Sequence, residues 1–357
     1  MDTDCQAKRK MIRRFARGTS IRWFLALFLV PLAPWWLVTD VLIRDFWDTQ
    51  YVMKINGLSA FVAETKHHPL WVVMGSSHVN YGLAPGVLAD YGKRENGPVM
   101  YNFGLGGADP FRQFICLRRM IRDGIKPDHV GIELAGFQLG GPFSAAANEP
   151  GLVVRARSDE LADYYKYSST PDRVRAAWYE SRIRPTFTYG TAVPIQAVYL
   201  RFPTLPFIRK KGTPPPYDHW GWDVPQARRE IPEAQQTKIN KEAKDAWAMA
   251  FKGNFKVSRF QRGIVDRILE LCRREKIAVF LLRMPESDEF QQIYTPQANA
   301  AINAYIVGLT KSGDVSFVDA RSWVGIKGFY DGHHLNLEGA EEFTRHLGDV
   351  LFTDRKQ

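Results

Sequence analysis

Leu70-Trp-Val-Val-Met-Gly-Ser-Ser-His78 is the stretch from which the fold is read: five apolar residues in a row, then a glycine and two serines. A short unbroken apolar run bounded by turn residues reads as a strand buried on both faces, the habit of parallel sheets. Its exit through Gly75 and Ser76 leaves the Ser77 hydroxyl at the carboxyl end of that strand. The pattern recurs at Val99 to Phe103, which runs into Gly104-Leu-Gly-Gly107, and again at His129 to Leu134, Ile277 to Leu282 and Val315 to Val318.

Helical stripes fall between these runs. Phe111, Phe114, Ile115, Leu117, Met120 and Ile121 follow Pro110, a residue suited to a helix entry. Ile264, Val265, Ile268, Leu269 and Cys272 form a second stripe, Ala298 to Leu309 a third, and Leu337, Ala340, Phe343, Leu347 and Val350 a last one. Strands alternating with helices predict an α/β fold, a three-layer α/β/α sandwich on a parallel sheet, with ligands gathering at the carboxyl ends of the strands. Residues 140–255 interrupt the alternation. A structureless loop of that length is rare in a compact domain, so a lid or subdomain beside the site is expected.

Ahead of this body lie a basic tail (1–22), an apolar segment (23–43) and a connector with helical content (44–69). The tail carries seven basic residues against Asp2 and Asp4, half of the chain's net charge of +10. Trp23 to Val38 holds no charge and would span roughly 24 Å as a helix; continuation to Ile43 supplies the rest of a membrane crossing. The positive-inside rule then predicts a single-pass anchor in the cytoplasmic membrane, with the body in the periplasm or outside the cell. Two other readings stand beside it, a cleaved signal peptide and a helix lying in the interface.

The remaining composition, 45% hydrophobic and 24% charged, suits a globular body and shows no basic-aromatic tract of the kind that binds nucleic acid. Cys5, Cys116 and Cys272 lack metal or redox spacing, and the adjacent His67 and His68 read as a solvated loop. No cofactor or metal is expected.

Two segments carry chemistry. Gly75-Ser76-Ser77-His78 presents a hydroxyl on a strand-end turn, and Asp331-Gly-His-His334 sets a carboxylate three residues before an imidazole and just ahead of a helix. Acyl transfer by a serine needs these parts: a hydroxyl, a histidine to take its proton and a carboxylate to fix the imidazole tautomer. The bland alternative is a strand-end turn and a capping arrangement for the last helix.

These residues resemble the SGNH (GDSL-like) hydrolase family. Gly75-Ser76-Ser77 is similar to its first block, Asn102 to Gly107 to its second and Asp331 to His334 to its last, over residues 70–351 without the insertion. The resemblance implies Ser77 as nucleophile, His334 as general base and Asp331 as its orienter, with the amides of Ser77 and Gly107 in the oxyanion hole. Two departures stand out. Ser76 occupies the place of the usual aspartate, and the third-block asparagine is missing, with Gln138 the available substitute donor. His78 is placed as a substrate contact or a helix start, and His333 outside the triad. Tyr217, Trp220 and Trp222 are placed either as a sugar-stacking platform or as a plug that holds the insertion to the core.

A membrane anchor joined to such a domain is similar to alginate-type O-acetyltransferases and to the D-alanyl transfer protein of teichoic acid modification. That likeness implies a cell-surface glycan or acylated carbohydrate as substrate and a membrane-bound O-acyltransferase as partner. A catalytically silent, glycan-binding subunit of such an assembly is the alternative.

Overall fold

The computed structural model describes residues 20, 23, 48–140, 153–168, 170–183, 217–224, 232–251 and 253–353. The expected anchor, apart from Trp23, lies outside them, and among the described residues no helix is long and apolar enough to cross a membrane.

The expected strands form one parallel sheet. β1 (Leu70–Gly75), β2 (Val99–Gly104), β3 (His129–Glu133), β4 (Ala278–Arg283) and β5 (Val315–Asp319) lie in the order β2-β1-β3-β4-β5. The order reverses between β1 and β3, which opens a crevice at their carboxyl ends, the ordinary ligand position in doubly wound sheets. β1 and β2 are buried along their whole length, which is why they read as unbroken apolar runs.

Helices cover both faces of the sheet. Among the described residues the helices of six or more residues are, in chain order, α1 (Thr49–Glu64), α2 (Ser77–Gly82), α3 (Pro110–Arg122), α4 (Leu161–Tyr167), α5 (Pro171–Ile183), α6 (Glu233–Ala248), α7 (Arg259–Glu275), α8 (Pro296–Thr310) and α9 (Leu337–Phe352), with α4 and α5 in a separate unit. Trp71, Val73, Phe280 and Leu282 turn to the face covered by α2 and α9, where they pack with Val79, Leu83, Phe343 and Leu347. On the other face α1 meets β2 through the ring pairs Tyr51–Phe103 and Phe61–Tyr101. There α3 packs against α7, and the α3 N-cap Asp109 accepts from Gln261 at 3.0 Å. Cys116 and Cys272 are buried within this layer and are not joined by a disulfide, and burial pushes the Cys272 thiol up to about 12.

The chain divides into two compact units. One comprises Gln50–Glu149 with Arg209–Gln357 and holds the sheet; the other comprises Met1–Thr49 with Pro150–Ile208. The expected insertion is therefore split. Its first part carries α4 and α5, where Arg182 stacks on Trp178 and donates to the Val154 and Ala156 carbonyls. Its second part, including Tyr217 to Val224 and α6, belongs to the sheet-bearing unit.

Candidate active site

The end of β1 is built by close packing. A Cβ at Gly75 would collide with Val79 and Glu133, so glycine alone lets α2 begin directly after the strand. Ser76 is the N-cap: its Oγ accepts from the His78 N–H at 3.2 Å. The Glu133 carboxylate, at the end of β3, in turn takes both the Ser76 amide and, at 3.2 Å, the Ser76 hydroxyl. Ser77 is thus the first residue of a short helix, and its N–H has no acceptor within that helix.

The opposite wall is the loop before α9. It is pinched by an antiparallel bridge between Phe329 and Leu335, and Gly332 turns through φ +83°. Asn336 caps α9 by accepting from Gly339, while His334 takes no part in the cap. Asp331 Oδ1 accepts the His334 amide at 2.7 Å and the His333 amide at 3.2 Å. Its other oxygen meets His334 Nδ1 at 2.7 Å, and His334 Nε2 meets Ser77 Oγ at 2.8 Å. The three residues, 257 positions apart at the extremes, form one hydrogen-bonded chain. Tyr330 stacks on the His334 ring and Tyr81 packs at its side, so the imidazole plane is fixed.

Electrostatics sharpen this. Burial pushes the Asp331 carboxyl up, but the His334 hydrogen bond and the charges of His334 and His333 outweigh it and hold it well below the usual carboxylate range. Burial, with His334 as neighbour, brings His333 down to about 3. Burial likewise lowers His78 well below its ordinary value, with His333 and His334 adding to the effect. Glu133 goes the other way: burial pushes it up to about 7 against the two Ser76 hydrogen bonds, and Glu286 adds to the rise. Asp331 thus keeps its charge beside one histidine, while burial favours the protonated form of Glu133 beside another.

Several expected site residues stand elsewhere. His78 is buried near the start of α2, enclosed by Phe137, His333, His334 and Glu133. Gln138 is buried too and gives its amide to the Ala108 carbonyl at 3.3 Å. Trp222 lies in the core and donates to the Tyr81 carbonyl at 2.6 Å, which makes it a plug and removes it from a stacking platform. Trp220 packs against Phe61, and its carbonyl accepts from Asn102 on the open edge of β2. Tyr217 lies under the Lys54 ammonium at 4.1 Å, and that buried ammonium also reaches the Asn102 and Gly221 carbonyls. Gly107 sits in the exposed turn after β2 with φ +71°, a conformation that favours glycine. β2 pairs Gly104 with Gly75, and Leu105 donates to the Gly75 carbonyl, so this turn starts beside the serine loop.

Glu133 and Trp247 escaped the sequence reading, and His333 entered it only as a residue outside the triad. The signal for Glu133 was a lone carboxylate closing an otherwise apolar strand. His333 is buried between His334 and the Phe290 ring on which it stacks. Trp247 of α6 packs on Phe137 and edges His333, which brings a segment of the insertion to the Asp331–His334 loop.

The fold and site define an α/β protein with a serine, a histidine and an aspartate linked at the carboxyl ends of a parallel sheet. A family model matches residues 237–355, which include Asp331 and His334 but not Ser77. No curated protein sequence matches the chain. Solved structures similar to it include two from Bacteroides species. A "putative acylhydrolase" from Bacteroides fragilis matches at 14% identity and TM-score 0.34, over 82% of this chain and 94% of that one. A "GDSL-like lipase" from Bacteroides thetaiotaomicron matches at 14% identity and TM-score 0.34, over 83% and 97%.

Proposed function

We propose that the protein is an SGNH-type serine acyl-transfer enzyme that works through a Ser77 acyl-enzyme. The observation that carries this reading is the unbroken chain from Ser77 Oγ through His334 to Asp331, at 2.8 Å and 2.7 Å. In the first half-reaction Ser77 Oγ bonds to the ester carbonyl carbon while His334 Nε2 takes the hydroxyl proton. His334 then returns that proton to the departing alcohol as the ester C–O bond breaks. In the second half an acceptor hydroxyl, from a sugar or from water, repeats the sequence and frees Ser77. Asp331 stays ionised throughout, as its depressed pKa favours, and stabilises the imidazolium.

The Ser77 and Gly107 amides are the oxyanion donors in this reading; each such donor is worth about 10²- to 10³-fold in rate. The substrate is a cell-surface polysaccharide or an acylated carbohydrate, and the acyl group is acetyl. A membrane-bound O-acyltransferase delivers it across the bilayer in which residues 23–43 anchor the protein. The support for these finer points is the sequence pattern: the basic tail, the apolar segment and the two chemical motifs.

One observation favours a second reading, a silent glycan-binding subunit: Gln138 commits one amide N–H to the Ala108 carbonyl, which ties down the side chain available as a third oxyanion donor. Incubation with 4-nitrophenyl acetate and a panel of oligosaccharides separates the cases. Acetylated oligosaccharide that disappears in Ser77→Ala supports transfer, and acetate release alone assigns hydrolysis. Neither product from folded protein leaves the binding subunit.

A further inference from the structure

His78, His333 and His334 come from two ends of the chain and meet beside Ser77. One nitrogen or the other of each lies within 4.8 Å of a counterpart on both others. Their ring centroids are 4.0 to 5.3 Å apart. The arrangement of the outer nitrogens is what distinguishes the cluster from ordinary aromatic packing. His334 Nδ1 faces Asp331 Oδ2 at 2.7 Å, and His333 Nδ1 faces Asp331 Oδ1 at 3.3 Å. His78 Nδ1 faces Glu133 Oε1 at 3.4 Å.

Each Nδ1 thus lies within 3.4 Å of a carboxyl oxygen, and in His334 the 2.7 Å bond to Asp331 leaves Nε2, the nitrogen that meets Ser77, as the basic one. Backing of each imidazole by a carboxylate is the habitual second layer of histidine metal sites, where it orients the ring and raises its basicity. Three imidazoles suit a borderline cation such as Zn2+, which takes three protein ligands and a fourth exchangeable one.

We propose that His78, His333 and His334 form a three-imidazole site for a Zn2+-class cation, and that the bound ion silences the serine by occupying His334 Nε2. Zn–N bonds of about 2.0–2.1 Å at tetrahedral angles require nitrogens about 3.3 Å apart, so the rings close inward from their present spacing by side-chain rotation. Only dative bonds form: the Ser77 hydroxyl keeps its proton and loses its acceptor. Ser77 and His334 are both partly exposed, which gives an ion a route from solvent. The silencing part rests on the proposed role of Ser77; the metal site itself does not.

The test uses the full chain freed of metal with EDTA. Zn2+ is titrated in competition with a chromophoric chelator, and Co2+ is followed by its visible bands. One equivalent of Zn2+ is expected, with the strong absorption of four-coordinate Co2+. His333→Ala and His78→Ala should each weaken binding by at least the ~10- to 100-fold that loss of a supporting carboxylate brings. His333→Gln, checked by circular dichroism, guards against a collapsed fold. Ser77→Ala should bind Zn2+ as the parent does.

A fluorophosphonate adduct on the parent should vanish with one equivalent of Zn2+ and return with EDTA. Absence of stoichiometric binding overturns the site. So does binding that survives in both histidine variants, or binding lost on replacing His67 and His68 instead. An adduct indifferent to bound Zn2+ overturns the silencing. If no adduct forms even without metal, the nucleophile reading fails while the titration still decides the metal site.

Discussion

Two carboxylate–imidazole pairs lie side by side at the end of the sheet, and they are tuned in opposite directions. Asp331 with His334 is part-exposed, and the carboxylate accepts two backbone N–H groups and a ring nitrogen. Glu133 with His78 is sealed, and its carboxylate has Ser76 and a longer, 3.4 Å approach to the ring. Burial acts on both; the number and closeness of donors to the ionised form decides which carboxylate keeps its charge. The first pair is thereby equipped to support an imidazolium. The second holds the Ser76 turn, and so the aim of Ser77, without adding a full charge beside it.

The sharpest way to break this contrast is Asp331→Asn. Loss of the tautomer lock should lower ester turnover about 10⁴-fold with Ser77 still in place, as measured by 4-nitrophenyl acetate hydrolysis. A drop of tenfold or less would mean that the aspartate is not the orienter. Glu133→Gln should cost far less than the ~10²-fold of a lost oxyanion donor, because the amide still offers an acceptor to the Ser76 N–H.

The stability of these two pairs should respond to pH with opposite sign. Glu133 rises from its ordinary 4.5 to about 7 in the fold. Its contribution is therefore full below pH 4.5 and is lost as pH climbs through 7, by about 1.4 kcal/mol per unit between those values. Asp331, held below its ordinary 3.8, contributes above that value and loses its share as pH falls beneath it. Urea unfolding of parent and Glu133→Gln in EDTA, from pH 4 to 8, should show a stability difference that changes across pH 4.5–7. A constant difference would refute the buried, protonated glutamate. The smallest effect is expected from Gln138→Ala. With its amide on Ala108, its loss should change turnover by well under the ~10²-fold of an oxyanion donor, and a larger fall would restore it to the hole.

The sequence disclosed the sheet because β1 to β4 are buried in ways that leave little ambiguity: LWVVM and VMYNFG are apolar at nearly every position. Ser77, Asp331 and His334 were legible because a strand-end turn and a four-residue loop announce themselves locally. What escaped depends on the tertiary assembly. Whether Glu133 is charged, where His78 turns and what His333 touches are fixed by residues up to 255 positions away. Trp222 read equally well as ligand platform or core because an indole serves both, and only its burial against Tyr81 decides.

The central claim is that Ser77 is a nucleophile activated by His334. Its most direct test is intact-mass spectrometry of metal-free protein after reaction with a fluorophosphonate, beside Ser77→Ala and His334→Ala. A single covalent adduct on the parent, absent from both variants, is the predicted result. A folded parent that takes no adduct, or an adduct that persists in Ser77→Ala, would contradict it.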